Sequence, residues 1–120
     1  MAHMGLTEAE WQVMECLWAA APQTGRAIID ALHGTTGWSR STTLTLLRRL
    51  EDKGAVSAGS EDGVKHYRPR MAREDAAVQE TEHLLERVYQ GSVSLMVSSL
   101  VKKQTLSQEE IDKLYAILRE

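Results

Sequence analysis

The chain has 120 residues, a net charge of −3, 42% hydrophobic and 26% charged residues, which suits one small domain or a domain with a helical arm. It contains no apolar stretch of the roughly 20 residues that a transmembrane helix needs and no signal-peptide core. Its single cysteine, Cys16, excludes an intrachain disulfide and a cysteine-based zinc site. We therefore expect a cytoplasmic protein without membrane insertion.

The N-terminal segment contains a tail and then a strongly marked helix. Residues 1–5 are interpreted as a cloning remnant, Met1-Ala2-His3-Met4, with a short tail. Thr7 and Glu10 have the spacing of a capping box, and Leu6 and Trp11 that of a hydrophobic staple. Apolar residues then recur at helical spacing until the helix ends near Pro22.

Two further helices are predicted before residue 54. Helix two is expected from Gly25 to about His33, with Gly34 as its stop and a turn over residues 34–37. Helix three is expected from Arg40 to Lys53, between the N-cap Ser39 and Gly54. One face of helix three is apolar, and the opposite face carries serine, threonine and arginine side chains.

A β-hairpin follows helix three. Two extended runs, residues 55–59 and 64–69, flank Asp62-Gly63, a dipeptide typical of tight hairpin turns. Three helices and a hairpin in this order are typical of a winged helix-turn-helix. The predicted fold is therefore mainly α with a small hairpin, and the predicted domain covers residues 6–72.

The segment 73–120 shows three short amphipathic helices. The last of them begins with a second capping box, Ser107-Gln-Glu-Glu110. So short a segment cannot bury three apolar stripes by itself, and a second copy of the chain is the simplest partner. We expect the dimer interface to contain Leu84, Leu85, Val88, Val93, Met96, Val97, Leu100, Ile111, Leu114, Tyr115 and Leu118.

The middle of the chain is basic and the end is acidic. Residues 23–73 contain nine Lys/Arg against five Asp/Glu, and residues 74–120 contain five against nine. A basic segment with a polar, basic helix fits major-groove reading of double-stranded DNA, although a solvated polar face gives the same pattern. The expected DNA contacts of helix three are Arg40, Ser41, Thr42, Leu44, Thr45, Arg48 and Arg49.

The hairpin adds cations where phosphates of the flanking groove would lie. Lys65, His66 and Arg68 are the expected wing contacts, and Arg70 adds a further charge beside them. Tyr67 is interpreted as a core residue that anchors the wing.

Two motifs together resemble the penicillinase repressor (BlaI/MecI) family. They are Leu6-Thr-Glu-Ala-Glu-Trp-Gln-Val-Met14 with Leu17-Trp18, and Ser41-Thr-Thr-Leu-Thr-Leu-Leu-Arg-Arg-Leu-Glu-Asp-Lys-Gly54. The resemblance implies a homodimer that binds an inverted-repeat operator and represses transcription, often of β-lactam-resistance genes. It also implies relief of repression by a membrane sensor-protease that cuts the dimerisation segment. That cut falls between Asn and Phe in the best-known members, and the matching bond here, Ser99-Leu100, departs from them.

Other functions receive less support from the sequence. No nucleophile with a base and no phosphate-binding glycine loop is visible, so we expect no enzyme. We expect no cofactor and no metal, because His33, His66 and His83 lack ligand spacing. The copper-sensing branch of the family uses C-terminal cysteines, which this chain lacks. An alternative is a ligand-sensing regulator whose pocket at the domain junction would be lined by Trp11, Trp18, Trp38 and Met96.

Overall fold

The computed structural model describes residues 5–120, so the interpretation of Met1–Met4 as a cloning remnant lies outside it. Its elements are α1 (Glu8–Ala19), β1 (Gln23–Thr24), α2 (Gly25–Thr36), α3 (Arg40–Lys53), β2 (Val56–Glu61), β3 (Val64–Pro69), α4 (Arg73–Tyr89), α5 (Val93–Lys102) and α6 (Gln108–Leu118). Two compact units divide the chain: one ends at Glu80, within α4, and the other is Thr81–Glu120.

The first unit is a three-helix core with a small sheet. The sheet is antiparallel with the order β1-β3-β2, and β3 pairs Gln23 with Tyr67 and Val56 with Pro69. This architecture confirms the predicted fold, mainly helical with a hairpin wing. The core is formed by residues of α1, α2, α3, β2 and β3 and of the link between α3 and β2. They are Val13, Met14, Leu17, Ile28, Leu32, Leu46, Leu47, Leu50, Ala55, Val56 and Tyr67.

Helix α1 begins where its capping box predicts. The Thr7 hydroxyl accepts from the Glu10 backbone N–H at 3.1 Å, and the Thr7 N–H donates to Glu10 Oε1 at 2.8 Å. Both donors would otherwise be unsatisfied at the helix start. In α6 the Ser107 hydroxyl accepts from the Glu110 N–H, but the Glu110 carboxylate lies toward Lys113, so only half of the predicted box forms there.

Helix α2 is longer than its sequence predicts. Gly34 does not end it: the helix continues to Thr36, and Gly37 ends it in the left-handed region (φ 78°), with its N–H bonded to the His33 carbonyl at 3.0 Å. The predicted stop and turn at residues 34–37 are therefore wrong. A glycine in the last turn is tolerated when a second glycine three residues later supplies the left-handed cap.

The hairpin turn is two residues long. Glu61 pairs with Val64, which leaves Asp62 (φ 52°) and Gly63 (φ 76°) as the loop. Positive φ at both positions is the type I′ geometry that matches the twist of a hairpin. Strand β2 accordingly ends at Glu61, two residues beyond Gly59, where the sequence predicts its end.

The second unit is helical. Helix α5 begins at the N-cap Ser92, whose hydroxyl accepts from the Leu95 N–H at 3.1 Å, and α6 begins at Ser107. None of the residues in α5 or α6 is buried within the chain. No helix in the described range 5–120 is both long and apolar enough to cross a membrane.

Candidate nucleic-acid interface

Helix α3 is held by one face and leaves the other free. The Ser39 hydroxyl accepts from the Thr42 N–H at 3.2 Å at its start, and Gly54 (φ 80°) closes its end. Thr43, Leu46, Leu47 and Leu50 are buried against the core. Because helical faces repeat every three to four residues, the intervening side chains point outward.

The exposed face of α3 contains most of the residues predicted from the sequence. Leu44 differs from the others, because it is half-buried and packs against the core cluster. Those that are exposed are Arg40, Ser41, Thr42, Thr45, Arg48 and Arg49. A surface of short hydroxyls and long cations of this kind suits hydrogen bonds to base edges and phosphates.

The hydroxyls at the start of α3 form a local network. Ser39 Oγ lies 3.2 Å from Ser41 Oγ and donates to Thr42 Oγ1 at 3.1 Å. These bonds orient small polar groups at the end of the helix that a helix-turn-helix inserts into the major groove.

Among residues 5–120, Arg40, Arg48 and Arg49 make no ion pair within 4.0 Å. Their guanidinium groups therefore need not break an internal contact to reach a phosphate.

The wing residues divide between two faces of β3. Side chains alternate along a strand, so Lys65 lies with the buried Tyr67 on one face, whereas His66 and Arg68 lie on the other. The sequence predicted these three cations as one set of contacts, but the structure does not bring them to one surface.

Both long cations of strand β3, Lys65 and Arg68, are paired with carboxylates. Lys65 Nζ lies 3.2 Å from Glu51 Oε1 of α3 and 5.1 Å from the centre of the Tyr67 ring. The hydrogen bond to Glu51 raises the pKa of Lys65. Arg68 Nη2 lies 2.6 Å from Glu61 Oε1, and this bond lowers the pKa of Glu61.

A cleft lies between α3 and strand β3 of the wing. It has a volume of about 430 Å³ and is lined by Leu44, Arg48, Glu51, Asp52, Lys65 and Tyr67. Its charged groups are two cations and two carboxylates, so the cleft carries no net positive charge.

The start of α2 carries a basic residue that was not among the contacts predicted from the sequence. Arg26 is exposed in the first turn, where a cation interacts unfavourably with the helix dipole. In helix-turn-helix proteins the helix before the reader crosses the DNA backbone. The unfavourable position of this cation was the signal that could have added Arg26 to the predicted contacts.

A buried ion pair between α1 and α3 was also missed. Lys53 Nζ lies 2.5 Å from Glu10 Oε1 and donates to the Gly5 carbonyl at 2.8 Å. Glu10 is 1% exposed. Burial raises its pKa, but the hydrogen bonds from Lys53 and Thr7 outweigh burial and leave the pKa below 4.5. The pair joins the start of α1 to the end of α3.

The tryptophans and Cys16 pack against other residues of the first unit. Trp11 and Trp18 meet edge to face at 5.0 Å, and the Trp18 indole N–H donates to the Met71 carbonyl at 2.9 Å. Trp38 packs on the core from another side, beside α2. Burial raises the pKa of Cys16, which disfavours its reactive thiolate. Within residues 5–120 no three His, Cys, Asp or Glu side chains are grouped as a metal site would require.

Apolar side chains remain exposed on the helices of the second unit. Tyr115 is 59% and Leu118 is 80% exposed, and Ile117, at 61%, was missed by the sequence analysis. Of the other predicted interface residues, Leu84, Val88 and Val93 are exposed, whereas the half-buried ones are Leu85, Met96, Val97, Leu100, Ile111 and Leu114.

The fold and the surface of α3 define the class of protein, a winged helix-turn-helix. The penicillinase repressor family model matches residues 6–120. The chain belongs to the penicillinase repressor family.

Individual relatives agree with this assignment. The chain is 34% identical over 115 residues to the penicillinase repressor of Bacillus licheniformis, covering 96% of this chain and 90% of the relative. It is 29% identical over 113 residues to the methicillin resistance regulatory protein MecI of Staphylococcus aureus strain N315, covering 94% and 92%.

Two solved structures resemble the chain. The solution structure of the DNA-binding domain of the repressor BlaI has a TM-score of 0.56 and 31% identity, covering 62% of this chain and 90% of that one. The solution structure of monomeric Bacillus licheniformis BlaI in complex with the blaP half-operator has a TM-score of 0.53 and 33% identity, covering 57% and 84%.

Proposed function

We propose that the chain is a transcriptional repressor, not an enzyme, that binds an inverted-repeat operator in double-stranded DNA as a homodimer in the cytoplasm. The observation that carries the proposal is the exposed face of α3, where three arginines that make no ion pair among residues 5–120 lie beside a row of hydroxyls. Family membership and the similarity to a BlaI–half-operator complex support it. Residues 6–72 bind DNA and residues 73–120 dimerise.

Helix α3 enters the major groove. Arg40 and the hydroxyls of Ser41, Thr42 and Thr45 contact base edges or phosphates near its start. Arg48 and Arg49, further along the helix, contact the phosphate backbone, and the wing lies along the neighbouring DNA backbone. Phosphate contacts supply affinity in a salt-dependent way, whereas base contacts supply sequence preference.

Dimerisation links two such DNA-binding units, one from each chain. The exposed apolar residues of α4, α5 and α6 would be covered by the same residues of a second chain, as a two-fold interface requires. When one half of the dimer is bound, the second half-site is met at a high effective concentration, so the dimer binds a full operator much more tightly than a monomer.

Proteolysis relieves repression, and the operator controls β-lactam-resistance or related genes. The Ser99–Leu100 bond lies inside α5, and the Ser99 hydroxyl donates to the Leu95 carbonyl at 3.0 Å. A protease needs an extended segment, so this turn of α5 must open before a membrane sensor-protease cuts it. The cut would separate dimer contacts on either side of it and leave the DNA-reading surface intact.

DNA binding is tested by fluorescence anisotropy of the full chain. The probes are a labelled duplex from upstream of its own gene and a scrambled duplex, each at two salt concentrations. We expect tight, salt-sensitive binding to the first duplex and weak binding to the second. An Arg40→Gln/Arg48→Gln variant should lose most of this binding, whereas the matched Arg87→Gln/Lys102→Gln variant should keep it. Equal, weak binding of the wild-type protein to both duplexes would contradict sequence-specific binding of the protein to this upstream DNA.

Dimerisation is tested by sedimentation equilibrium. Val88 and Leu118 are exposed within the chain, so a Val88→Asn/Leu118→Asn variant should fold but shift toward monomer and bind the operator less tightly. A wild-type protein that sediments as a monomer at micromolar concentration would contradict the dimer.

A further inference from the structure

The long cations of α3 and of β3 differ in their ion-pair partners. Arg40, Arg48 and Arg49 on α3 have no ion-pair partner among residues 5–120. The two long cations of β3, in contrast, are each held by one carboxylate, Lys65 by Glu51 and Arg68 by Glu61. The partners come from different elements, α3 and β2, so the two pairs are separate features of the sequence.

These pairs contribute little to the stability of the fold. The Lys65 and Glu51 side chains are 56% and 32% exposed, and those of Arg68 and Glu61 are both 48% exposed. Exposed ion pairs stabilise proteins weakly, because water solvates the separated charges almost as well. A role in the fold therefore does not explain why both wing cations are paired.

The pairs do change how the surface meets DNA. In the cleft between α3 and the wing, Glu51 and Asp52 offset the charges of Arg48 and Lys65. A phosphate that approaches Lys65 or Arg68 must displace a carboxylate and is repelled by it at close range. Arg40 and Arg49 of α3 make no ion pair among residues 5–120 and do not line this cleft, so they impose neither cost.

We propose that Glu51 and Glu61 restrain the wing by holding Lys65 and Arg68 away from DNA phosphates, and that they thereby limit sequence-independent DNA binding. The proposal rests on the proposed function as a DNA-binding repressor. Phosphate contacts carry no sequence information, and a repressor competes with a large excess of non-operator sites. Removing two phosphate contacts per protomer leaves binding more dependent on the groove-facing residues of α3.

The test is the salt dependence of binding to a scrambled duplex, measured by anisotropy with the full chain. Each phosphate neutralised adds about 0.9 to the magnitude of the slope of log K against log salt. Glu51→Gln and Glu61→Gln should each raise affinity for the scrambled duplex several-fold and steepen the slope by about 0.9 per protomer. Gln keeps the size of the side chain but releases the cation.

Two sets of matched variants separate release of a cation from a general change in charge. Asp62→Asn makes the same charge change at the next position of the wing, where the described residues provide no ion pair. It should leave the slope unchanged, and Asn tolerates the positive φ of Asp62. Lys65→Gln should abolish the gain produced by Glu51→Gln. Arg68→Gln should do the same for Glu61→Gln.

The outcomes distinguish the two proposals. If wild type binds neither duplex, DNA binding itself is wrong, and the role of the two carboxylates is wrong with it. If wild type binds but Glu51→Gln and Glu61→Gln behave as Asp62→Asn does, the proposed function stands and the restraint is overturned. If Lys65→Gln or Arg68→Gln flattens the slope of wild type, those cations already contact phosphates, and the restraint is overturned too. Thermal unfolding of each variant checks that the wing remains folded.

Discussion

Arg73, the first residue of α4, binds Glu15 of α1 through two hydrogen bonds. Its Nε donates to Oε1 at 2.7 Å and its Nη2 donates to Oε2 at 3.1 Å. The guanidinium carbon also lies 5.9 Å from the centre of the Trp11 ring. The bond to Arg73 lowers the pKa of Glu15. This contact joins the first turn of α4 to α1, and Ala76 in the same turn is buried.

Loosening that contact should weaken binding to a full operator more than binding to a half-site. An Arg73→Gln variant keeps α3 intact, so its affinity for a half-operator duplex should match wild type. In a dimer, a more mobile α4 would widen the range of relative orientations of the two DNA-binding units. The effective concentration of the second unit at its half-site would then fall. We expect a several-fold loss on the full operator, measured by anisotropy with duplexes of both lengths.

Arg87→Gln is the matched control for that experiment. It makes the same charge change in the last turn of α4, and Arg87 is exposed. Its full-operator affinity should stay close to that of wild type. An equal loss on half and full operators for Arg73→Gln would show that Arg73 supports the DNA-binding unit itself and not its linkage to α4.

The Glu10–Lys53 pair should contribute measurably to stability. Lys53→Met would leave the buried Glu10 carboxylate without its cation. Breaking a buried pair costs about 3–5 kcal/mol, but Lys53 is 30% exposed, so we expect about 2 kcal/mol in urea unfolding. Lys65→Met removes one partner of an exposed pair and should cost about 1 kcal/mol or less. Equal costs for the two variants would contradict the role of burial.

The same pair predicts a pH dependence of stability. Because the pKa of Glu10 in the folded protein lies below 4.5, the ionised carboxylate stabilises the fold at neutral pH. That contribution is lost as the pH falls from about 4.5 through the folded pKa. The stability gap between wild type and Glu10→Gln should therefore narrow below pH 4.5. Glu8→Gln, an exposed change in the same turn, is the control, and a Glu10→Gln gap that stays constant to acid pH would contradict the assignment.

Local signals made most of the fold predictable. Capping residues next to the helix ends predict the start of α1 and both ends of α3. The dipeptide Asp62-Gly63 predicts the hairpin turn. Strand β1 was missed because two residues carry no periodicity, and it exists only through its pairing with β3.

Long-range pairs are what the sequence did not reveal about the site. The exposed residues of α3 could be predicted because they occupy one helical face. The partners of the cations could not, because Lys65 pairs with Glu51 and Lys53 with Glu10 across 14 and 43 positions. Such pairs depend on how the elements pack, so the sequence predicted cations on the wing but not the carboxylates that hold two of them.

The two glycines at the end of α2 should respond in opposite directions to alanine. Gly34 lies inside the helix, and an added Cβ would meet no atom within 4 Å. Alanine restricts the unfolded chain, so Gly34→Ala should stabilise the protein by about 0.5–1 kcal/mol. Gly37 has φ 78°, a region that costs an L-residue roughly 1–2 kcal/mol, so Gly37→Ala should destabilise it. Urea unfolding of both variants measures the difference, and destabilisation by Gly34→Ala would mean that α2 ends at residue 34 in solution, as the sequence pattern alone predicts.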